Sequence, residues 1–94
     1  KGNLFRAIEL LKAAADRDKK NTWIYLSMGD AYRKLYNGSA AVKAYQEAID
    51  ADNSNAEAYY KIGKIYQTQN NVEVFTEYYT KAIQADPDFA PVYY

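Results

Sequence analysis

Serine side chains offer the first chemistry to test, because a hydroxyl that is activated by a nearby base can act as a nucleophile. The chain contains Ser27, Ser39 and Ser54 but no histidine and no cysteine. The usual base for a serine hydroxyl is therefore missing, and so are thiolate chemistry and disulfides. We expect no catalytic site, and we expect that the protein is not an enzyme.

Acidic side chains between residues 50 and 57 offer a second chemistry, the binding of a metal ion. Asp50, Asp52 and Glu57 suggest a calcium-binding loop of the EF-hand type that begins at Asp50. Such a loop requires glycine where the chain has Asn55 and glutamate where it has Lys61. We therefore expect a solvated turn here, with no metal ion and no cofactor.

Tyrosine rings suggest a third possibility, since the chain has eleven tyrosines that could stack on the bases of single-stranded nucleic acid. The charge balance argues against it: 12 Lys and Arg residues face 12 Asp and Glu residues, and nucleic-acid-binding proteins are usually basic. We expect no nucleic-acid partner. No apolar run approaches the ~20 residues of a membrane span, so we also expect no membrane insertion.

The charges are unevenly distributed along the chain. Residues 1–34 carry eight basic and four acidic side chains, a net charge of +4, whereas residues 35–94 carry four basic and eight acidic side chains, a net charge of −4. Such a polarity could steer a partner along the molecule, or it could help chains to associate head to tail.

An internal repeat of 34 residues positions these side chains. When Gly29 is aligned with Gly63, the pairs that come into register are Tyr25 with Tyr59, Met28 with Ile62, Tyr32 with Tyr66, Tyr45 with Tyr79, and Ala48 with Ala82. Repeats of this length are typical of stacked helical hairpins, in which neighbours cover each other's apolar faces.

Apolar residues at spacings of three and four predict five helices. The predicted helices are 3–17 with Asn3 as N-cap, a second from Thr22 with Thr22 as N-cap, 39–51 with Ser39 as N-cap, a fourth from residue 55 or 56, and a fifth that begins at Val72 and ends before Asp86. On the fifth helix, the predicted packing face is Val72, Phe75, Tyr79, Ala82 and Ile83. Residues 88–94 resemble the first turn of a sixth helix.

These positions together resemble the tetratricopeptide repeat. The residues that match it are Tyr25, Met28, Gly29, Tyr32, Ala41, Tyr45 and Ala48 in one copy, and Tyr59, Ile62, Gly63, Tyr66, Tyr79, Ala82 and Pro87 in the other. The resemblance implies an all-α fold, an α-α superhelix of antiparallel helical hairpins with about five helices and a C-terminal stub. It divides residues 1–94 into a single array: 1–21 is the second helix of a partial repeat, 22–55 and 56–89 are full repeats, and 90–94 start a further repeat.

One position departs from the repeat. Phe75 stands where the first copy has Ala41, and the alignment places it opposite Gly63. A ring between two closely packed helices should splay them apart, or rotate the fifth helix so that Val74 or Tyr78 takes its place. We expect a wider separation near Phe75 than near Ala41.

In the resembling family, the first helix of each hairpin lines a concave groove that binds extended or helical peptides. The matching positions are Trp23, Leu26, Ser27, Asp30, Arg33, Lys34, Glu57, Tyr60, Lys61, Lys64, Gln67 and Thr68, with Pro91 and Tyr94 continuing the row. The resemblance thus implies a protein-interaction scaffold with a protein or peptide partner. We expect Trp23, Leu26 and Tyr60 to be apolar anchors, and the basic residues to meet acidic groups of the partner.

One subfamily, the chaperone-binding repeats, grips a C-terminal carboxylate with a clamp of lysine, asparagine and arginine side chains. The matching positions here are Leu26, Ser27, Asp30, Glu57 and Lys61. Only Lys61 has a suitable side chain, so we do not expect this form of recognition.

Self-assembly is the alternative function. Within this sequence, Leu4, Phe5 and Leu11 near one end have no neighbouring hairpin, and neither do Phe89, Val92 and Tyr93 near the other. Repeat arrays usually end in polar capping helices. We therefore expect either a longer array or a homo-oligomer that forms through the unpaired terminal helices.

Overall fold

The structure is a computed structural model that describes residues 3–89. These residues form five helices: α1 (Leu4–Arg17), α2 (Thr22–Lys34), α3 (Gly38–Ala51), α4 (Ala56–Thr68) and α5 (Val72–Ala85). Helices α2 and α3 form one antiparallel hairpin and α4 and α5 form the next, while α1 packs on α2 and α3 packs on α4. The predicted all-α arrangement of five helices is confirmed, whereas Pro91, Tyr94 and the expected sixth helix lie outside the described residues.

Asparagine caps each helix in this part of the chain. The side-chain oxygen accepts a hydrogen bond from a backbone amide in the first turn at Asn3, Asn21, Asn37, Asn55 and Asn71. Each such cap contributes about 1 kcal/mol to stability. The predicted caps Thr22 and Ser39 are wrong, because α2 and α3 already include these residues and the capping side chains precede them.

The turn within each hairpin contains a residue with a left-handed backbone. Tyr36 has φ of 60° and Asn70, its equivalent in the second copy, has φ of 57°. The next residue then donates its amide to a carbonyl of the preceding helix, Asn37 to Tyr32 at 2.9 Å and Asn71 to Tyr66 at 3.0 Å. The two copies therefore share one turn geometry, although only asparagine adopts it readily.

The apolar core joins one hairpin to the next. Its largest cluster of buried residues comes from α2, α3 and α4 and comprises Leu26, Ala41, Tyr45, Ala48, Ile49, Ala58, Ile62 and Ile65. A second cluster connects α1 to the first hairpin through Ala15, Ile24, Met28 and Ala44. Because neither hairpin encloses this core alone, each stabilises the other.

Glycine and tyrosine face each other within each hairpin. A Cβ atom on Gly29 would overlap the ring of Tyr45, and one on Gly63 would lie 2.6 Å from Cε1 of Tyr79. Phe75 does not fill the space opposite Gly63, since its nearest atom to that Cβ position is its carbonyl oxygen, at 3.5 Å. Its ring instead lies edge-on to Tyr79, with the centroids 5.4 Å apart. The expectation that the Phe75 ring lies opposite Gly63 is therefore wrong, and the wider helix separation stays a prediction.

Helix α5 buries less of its predicted face than the other helices do. Ala82 is fully buried, but Val72 is 62 % exposed, so its assignment to the packing face is wrong. Val72 is the first residue of the helix. None of the helices between residues 3 and 89 is long and apolar enough to cross a membrane.

Candidate functional site

The predicted groove residues lie on the two helices that begin the hairpins, α2 and α4. Trp23, Asp30 and Lys34 are seven and four residues apart, a spacing that places them on one stripe of α2. Glu57, Lys64 and Thr68 occupy the equivalent stripe of α4. The two stripes are connected by an ion pair between Asp30 and Lys61.

Trp23 is the most prominent apolar side chain of these stripes. It lies in the first turn of α2, where its backbone amide donates to the cap oxygen of Asn21 at 3.1 Å, and its side chain leaves the residue 66 % exposed. Its repeat equivalent is Glu57, a charged residue suited to solvent. A large apolar surface is thus exposed at one position of a helix face that is otherwise polar.

Leu26 is not an exposed anchor, and this part of the predicted site is wrong, whereas Tyr60 is half-buried. Leu26 is only 8 % exposed and belongs to the cluster with Ala58 and Ile62 of the next hairpin. Tyr60, at the equivalent position, stacks on Tyr79 at 5.6 Å and meets Phe89 edge-on at 5.5 Å. Leu26 thus holds neighbouring hairpins together, whereas Tyr60 packs on α5 of its own hairpin and on Phe89.

Lys61 is neutralised by residues of the protein itself. Its ammonium group lies 2.9 Å from both carboxylate oxygens of Asp30 and 3.2 Å from Glu57. Tyr45 donates its hydroxyl to the same Asp30 carboxylate at 2.5 Å. The lysine side chain is only 19 % exposed. Lys61 therefore joins α4 to α2 and is not available as a basic contact for a partner.

The Tyr45 hydroxyl is held in its protonated form. Burial raises the pKa of this phenol well above its ordinary value, and the hydrogen bond to Asp30 raises it further, against a smaller opposing effect of Arg33. Burial and the neighbouring Tyr60 likewise raise the pKa of Tyr79. At neutral pH both hydroxyls are donors, Tyr45 to Asp30 and Tyr79 to the Gln67 side-chain oxygen at 3.0 Å.

Three predicted cations remain available on the site. Arg33 and Lys34 are exposed and Lys64 is half-buried, with its ammonium group 5.9 Å from the centre of the Tyr60 ring. Within residues 3–89, none of these three cations forms an ion pair with a carboxylate. Arg33 and Lys34 line a depression of about 290 Å³ beside the Asp30–Lys61 pair.

A larger depression adjoins this one, and its residues were only partly expected from the sequence. It has a volume of about 440 Å³ and is lined by Arg33, Tyr36, Gly38, Lys64, Ile65, Thr68 and Gln69. Tyr36 is not among the groove positions predicted from the sequence, although the repeat offered a signal for it. The alignment that pairs Gly29 with Gly63 places Tyr36 where the second copy has Asn70.

The carboxylates of the described residues form no metal site. No group of three or more histidine, cysteine, aspartate or glutamate side chains between residues 3 and 89 could hold a metal ion. In the turn between α3 and α4, Asp52 accepts hydrogen bonds from the amide and the hydroxyl of Ser54 at 3.1 and 2.6 Å. These two bonds lower the pKa of Asp52.

Two family models match the chain. One, described as TPR repeat, matches residues 39–70, and the other, described as tetratricopeptide repeat, matches residues 56–89. Together they span residues 39–89, more than half of the chain. The chain belongs to the tetratricopeptide repeat family. Proteins of this family are typically interaction scaffolds rather than enzymes.

Solved structures give the same fold. Two crystal structures of MamA are 32 % and 33 % identical to this tetratricopeptide array, with TM-scores of 0.81 and 0.83, and they match 92 % and 98 % of it. The array covers 50 % of each MamA chain, so it spans about half their length. A search of curated protein sequences finds no match.

Two more distant structures show the fold alone. The first TPR of Spaghetti (RPAP3), bound to the HSP90 peptide SRMEEVD, has a TM-score of 0.82 at 19 % identity, over 96 % of this chain and 71 % of that one. YrrB, described as a TPR protein with an unusual peptide-binding site, has a TM-score of 0.83 at 22 % identity, over 96 % of this chain and 46 % of its own.

Proposed function

We propose that this tetratricopeptide array is a protein-interaction scaffold that binds a peptide or protein along the surface formed by α2 and α4. The exposed Trp23 carries the proposal. Burying a large aromatic ring contributes strongly to binding, and tryptophan is among the residues that most often dominate interface energies. An idle solvent face would not favour a tryptophan that is 66 % exposed.

The charges around Trp23 suggest which partners fit. Lys61 is paired with Asp30 and Glu57, whereas Arg33, Lys34 and Lys64 form no ion pair within the described part of the chain. Unpaired cations at the rim of an interface attract and orient acidic groups. The partner segment would therefore combine an apolar contact on Trp23 with acidic side chains near Arg33 and Lys34.

Related folds support peptide binding in general terms. The Spaghetti structure contains a bound peptide, and YrrB is described with a peptide-binding site. The mode would differ here from a carboxylate clamp, because the matching positions include the buried Leu26 and the paired Lys61. Trp23 and the unpaired cations replace the clamp in this proposal.

The single tryptophan of the chain makes the proposal testable by fluorescence. An array of capped synthetic peptides that differ in net charge is screened, and each hit is titrated against the protein while the emission of Trp23 is recorded. We expect acidic peptides to bind and to shift the emission. In a label-based assay, W23A should weaken their binding about tenfold or more.

The matched control is V72A, which also shortens an exposed apolar side chain but lies on α5. It should bind the same peptides as the unsubstituted chain does. Unchanged binding by W23A, with the protein folded by circular dichroism, would contradict a groove anchored by Trp23.

Self-association is a second candidate function, and α1 favours it. Phe5 and Leu10 are 71 % and 61 % exposed. Leu10 occupies the position that Ala44 takes in the next repeat, where only 2 % of the residue is exposed. The net charges of +4 and −4 in residues 1–34 and 35–94 would favour head-to-tail contact. Under this alternative, L10D dissociates the assemblies in sedimentation equilibrium and W23A leaves their size unchanged.

A further inference from the structure

Tyr36 combines a strained backbone with a fully exposed side chain. Its φ is 60°, in the left-handed region where a tyrosine is less stable than glycine or asparagine. Its side chain leaves the residue 97 % exposed, so packing does not offset that cost. In the second copy, Asn70 has nearly the same backbone, with φ of 57°. Local stability therefore does not account for tyrosine at this position, and residues of this kind are concentrated at functional sites.

Tyr36 lines the depression of about 440 Å³ between the first hairpin turn and the C-terminal half of α4. The apolar surface of this depression comes mainly from the exposed ring of Tyr36, while Ile65, which is 6 % exposed, lines the depression from the core, and Gly38 has no side chain to fill it. A Cβ atom on Gly38 would lie 3.5 Å from Cγ2 of Ile65, in ordinary contact. The depression is therefore open to an apolar side chain from a partner.

The charged residues that line this depression are all positive. Arg33 and Lys64 are both present, and no carboxylate is among the described residues around it. Asp30, which lines the adjoining depression, is already bonded to Lys61 and Tyr45. An occupant with acidic groups would thus pair with Arg33 and Lys64, whereas a basic occupant would be repelled.

We propose that this depression is a specificity subsite for a partner segment in which an apolar side chain adjoins a carboxylate. The apolar side chain packs on the ring of Tyr36, and the carboxylate pairs with Arg33 and Lys64. The proposal rests on the peptide-binding function proposed above and names the part of the groove that selects the sequence.

The position of the depression fits a single extended peptide. Arg33 follows Trp23 by ten residues of α2. At 1.5 Å per residue this places them about 15 Å apart along the helix, a distance that about five extended peptide residues cover. A short segment therefore reaches both Trp23 and the subsite.

The experiment uses three capped synthetic peptides and fluorescence polarisation. The first contains leucine flanked by aspartates, the second has lysines in place of the aspartates, and the third has serine in place of the leucine. We expect the protein to bind the first peptide about tenfold more tightly than either of the others. Equal binding of the three peptides would overturn the subsite.

Two variants then locate the binding. Y36N removes the ring and places in the turn the residue type that the second copy has, so the fold is retained. R33E reverses one cation, and K43E, a reversal at another exposed position, on α3, is its charge-matched control. We expect Y36N and R33E to weaken binding of the first peptide about tenfold, and K43E to leave it unchanged.

The outcomes separate this proposal from the function on which it rests. If W23A loses the peptide while Y36N and R33E bind it as tightly as the unsubstituted chain, the subsite is overturned and the groove function remains. If W23A, Y36N and R33E all bind it unchanged, both proposals are overturned. If K43E weakens binding of the first peptide as much as R33E does, net charge alone explains the effect, and the subsite would again be overturned.

Discussion

Tyr45 shows how much one residue can connect in this fold. Its ring is fully buried against Gly29, and its hydroxyl donates to Asp30, which also binds Lys61 of the next hairpin. Tyr79, at the equivalent position, is only half-buried and donates to Gln67. The same residue type thus serves the contact between hairpins in the first copy and a contact within one hairpin in the second.

Alkaline pH should destabilise the protein partly through Tyr45. Its folded-state pKa lies above the value of about 10 for an unfolded tyrosine, so its contribution to stability is complete below about pH 10 and is lost as the pH rises through the raised pKa. Urea unfolding followed by circular dichroism should therefore give a free energy that falls above about pH 10. In Y45F the free energy of unfolding should fall less steeply above about pH 10. The fall that remains comes partly from Tyr79, whose pKa is also raised.

Neutral pH provides the control for this prediction. There, Y45F should lose only the hydrogen bond to Asp30, a cost of about 1 kcal/mol, because Asp30 keeps its bonds to Lys61. If Y45F and the unsubstituted chain lose stability with the same slope above about pH 10, Tyr45 is not the group that titrates.

The contact between α2 and α3 tolerates added volume less well than the contact between α4 and α5. Gly29 faces a ring that is buried on all sides, whereas the ring of Tyr79 opposite Gly63 is partly exposed. A displaced Tyr79 can move towards solvent, but a displaced Tyr45 must move into the core between the hairpins. The two hairpins are therefore alike in geometry and unequal in rigidity.

Substitution of the helix glycines should measure this difference. We expect G29A to lower the free energy of unfolding by about 2–3 kcal/mol, because the new methyl group overlaps the Tyr45 ring. G63A should cost about 1 kcal/mol or less, since Tyr79 can shift. Urea titration of each variant gives both values, and equal losses would contradict the difference in rigidity.

G38A is the matched control for these two variants. Its methyl group would make only ordinary contact with Ile65, and alanine favours a helix over glycine by up to about 1 kcal/mol. G38A should therefore be as stable as the unsubstituted chain or slightly more stable.

Across the whole molecule, stability depends on the stacking of hairpins. Leu26, Tyr45 and Ile62 belong to one cluster, although they come from three different helices. The ion pair between Asp30 and Lys61 crosses the same boundary, but at 41 % and 19 % side-chain exposure it contributes little in comparison. Apolar contact between hairpins is thus the larger stabilising factor.

Truncation at this boundary should affect both hairpins. I62A removes most of a fully buried side chain and should cost about 2–4 kcal/mol. Because each hairpin depends on its neighbour, native-state hydrogen exchange should show lost protection in α2 and α3 as well as in α4 and α5.

V72A, at an exposed apolar position, serves as the comparison and should change stability by less than about 0.5 kcal/mol. Loss of protection confined to α4 and α5 in I62A would mean that the hairpins fold independently.

The helices were predictable because local chemistry specifies them. Apolar residues at helical spacing placed α1 to α5 to within one or two residues at their starts, and the aligned glycines and tyrosines predicted the stacked hairpins. The errors at Thr22 and Ser39 are also local, since asparagine is a strong N-cap and precedes each of them.

The sequence by itself determined the helices, the hairpins and the family, because these follow from apolar spacing within each helix and from the 34-residue repeat between copies. Only the tertiary structure decided the burial of Leu26 and Trp23, of which the next hairpin covers Leu26 alone, and the pairing of Lys61 with Asp30 of the preceding hairpin. It also revealed the depression beside Tyr36, whose lining comes from two hairpins. Burial and charge pairing of this kind depend on how one hairpin stacks on the next. Helical periodicity specifies the faces of each helix but not the contacts between stacked hairpins.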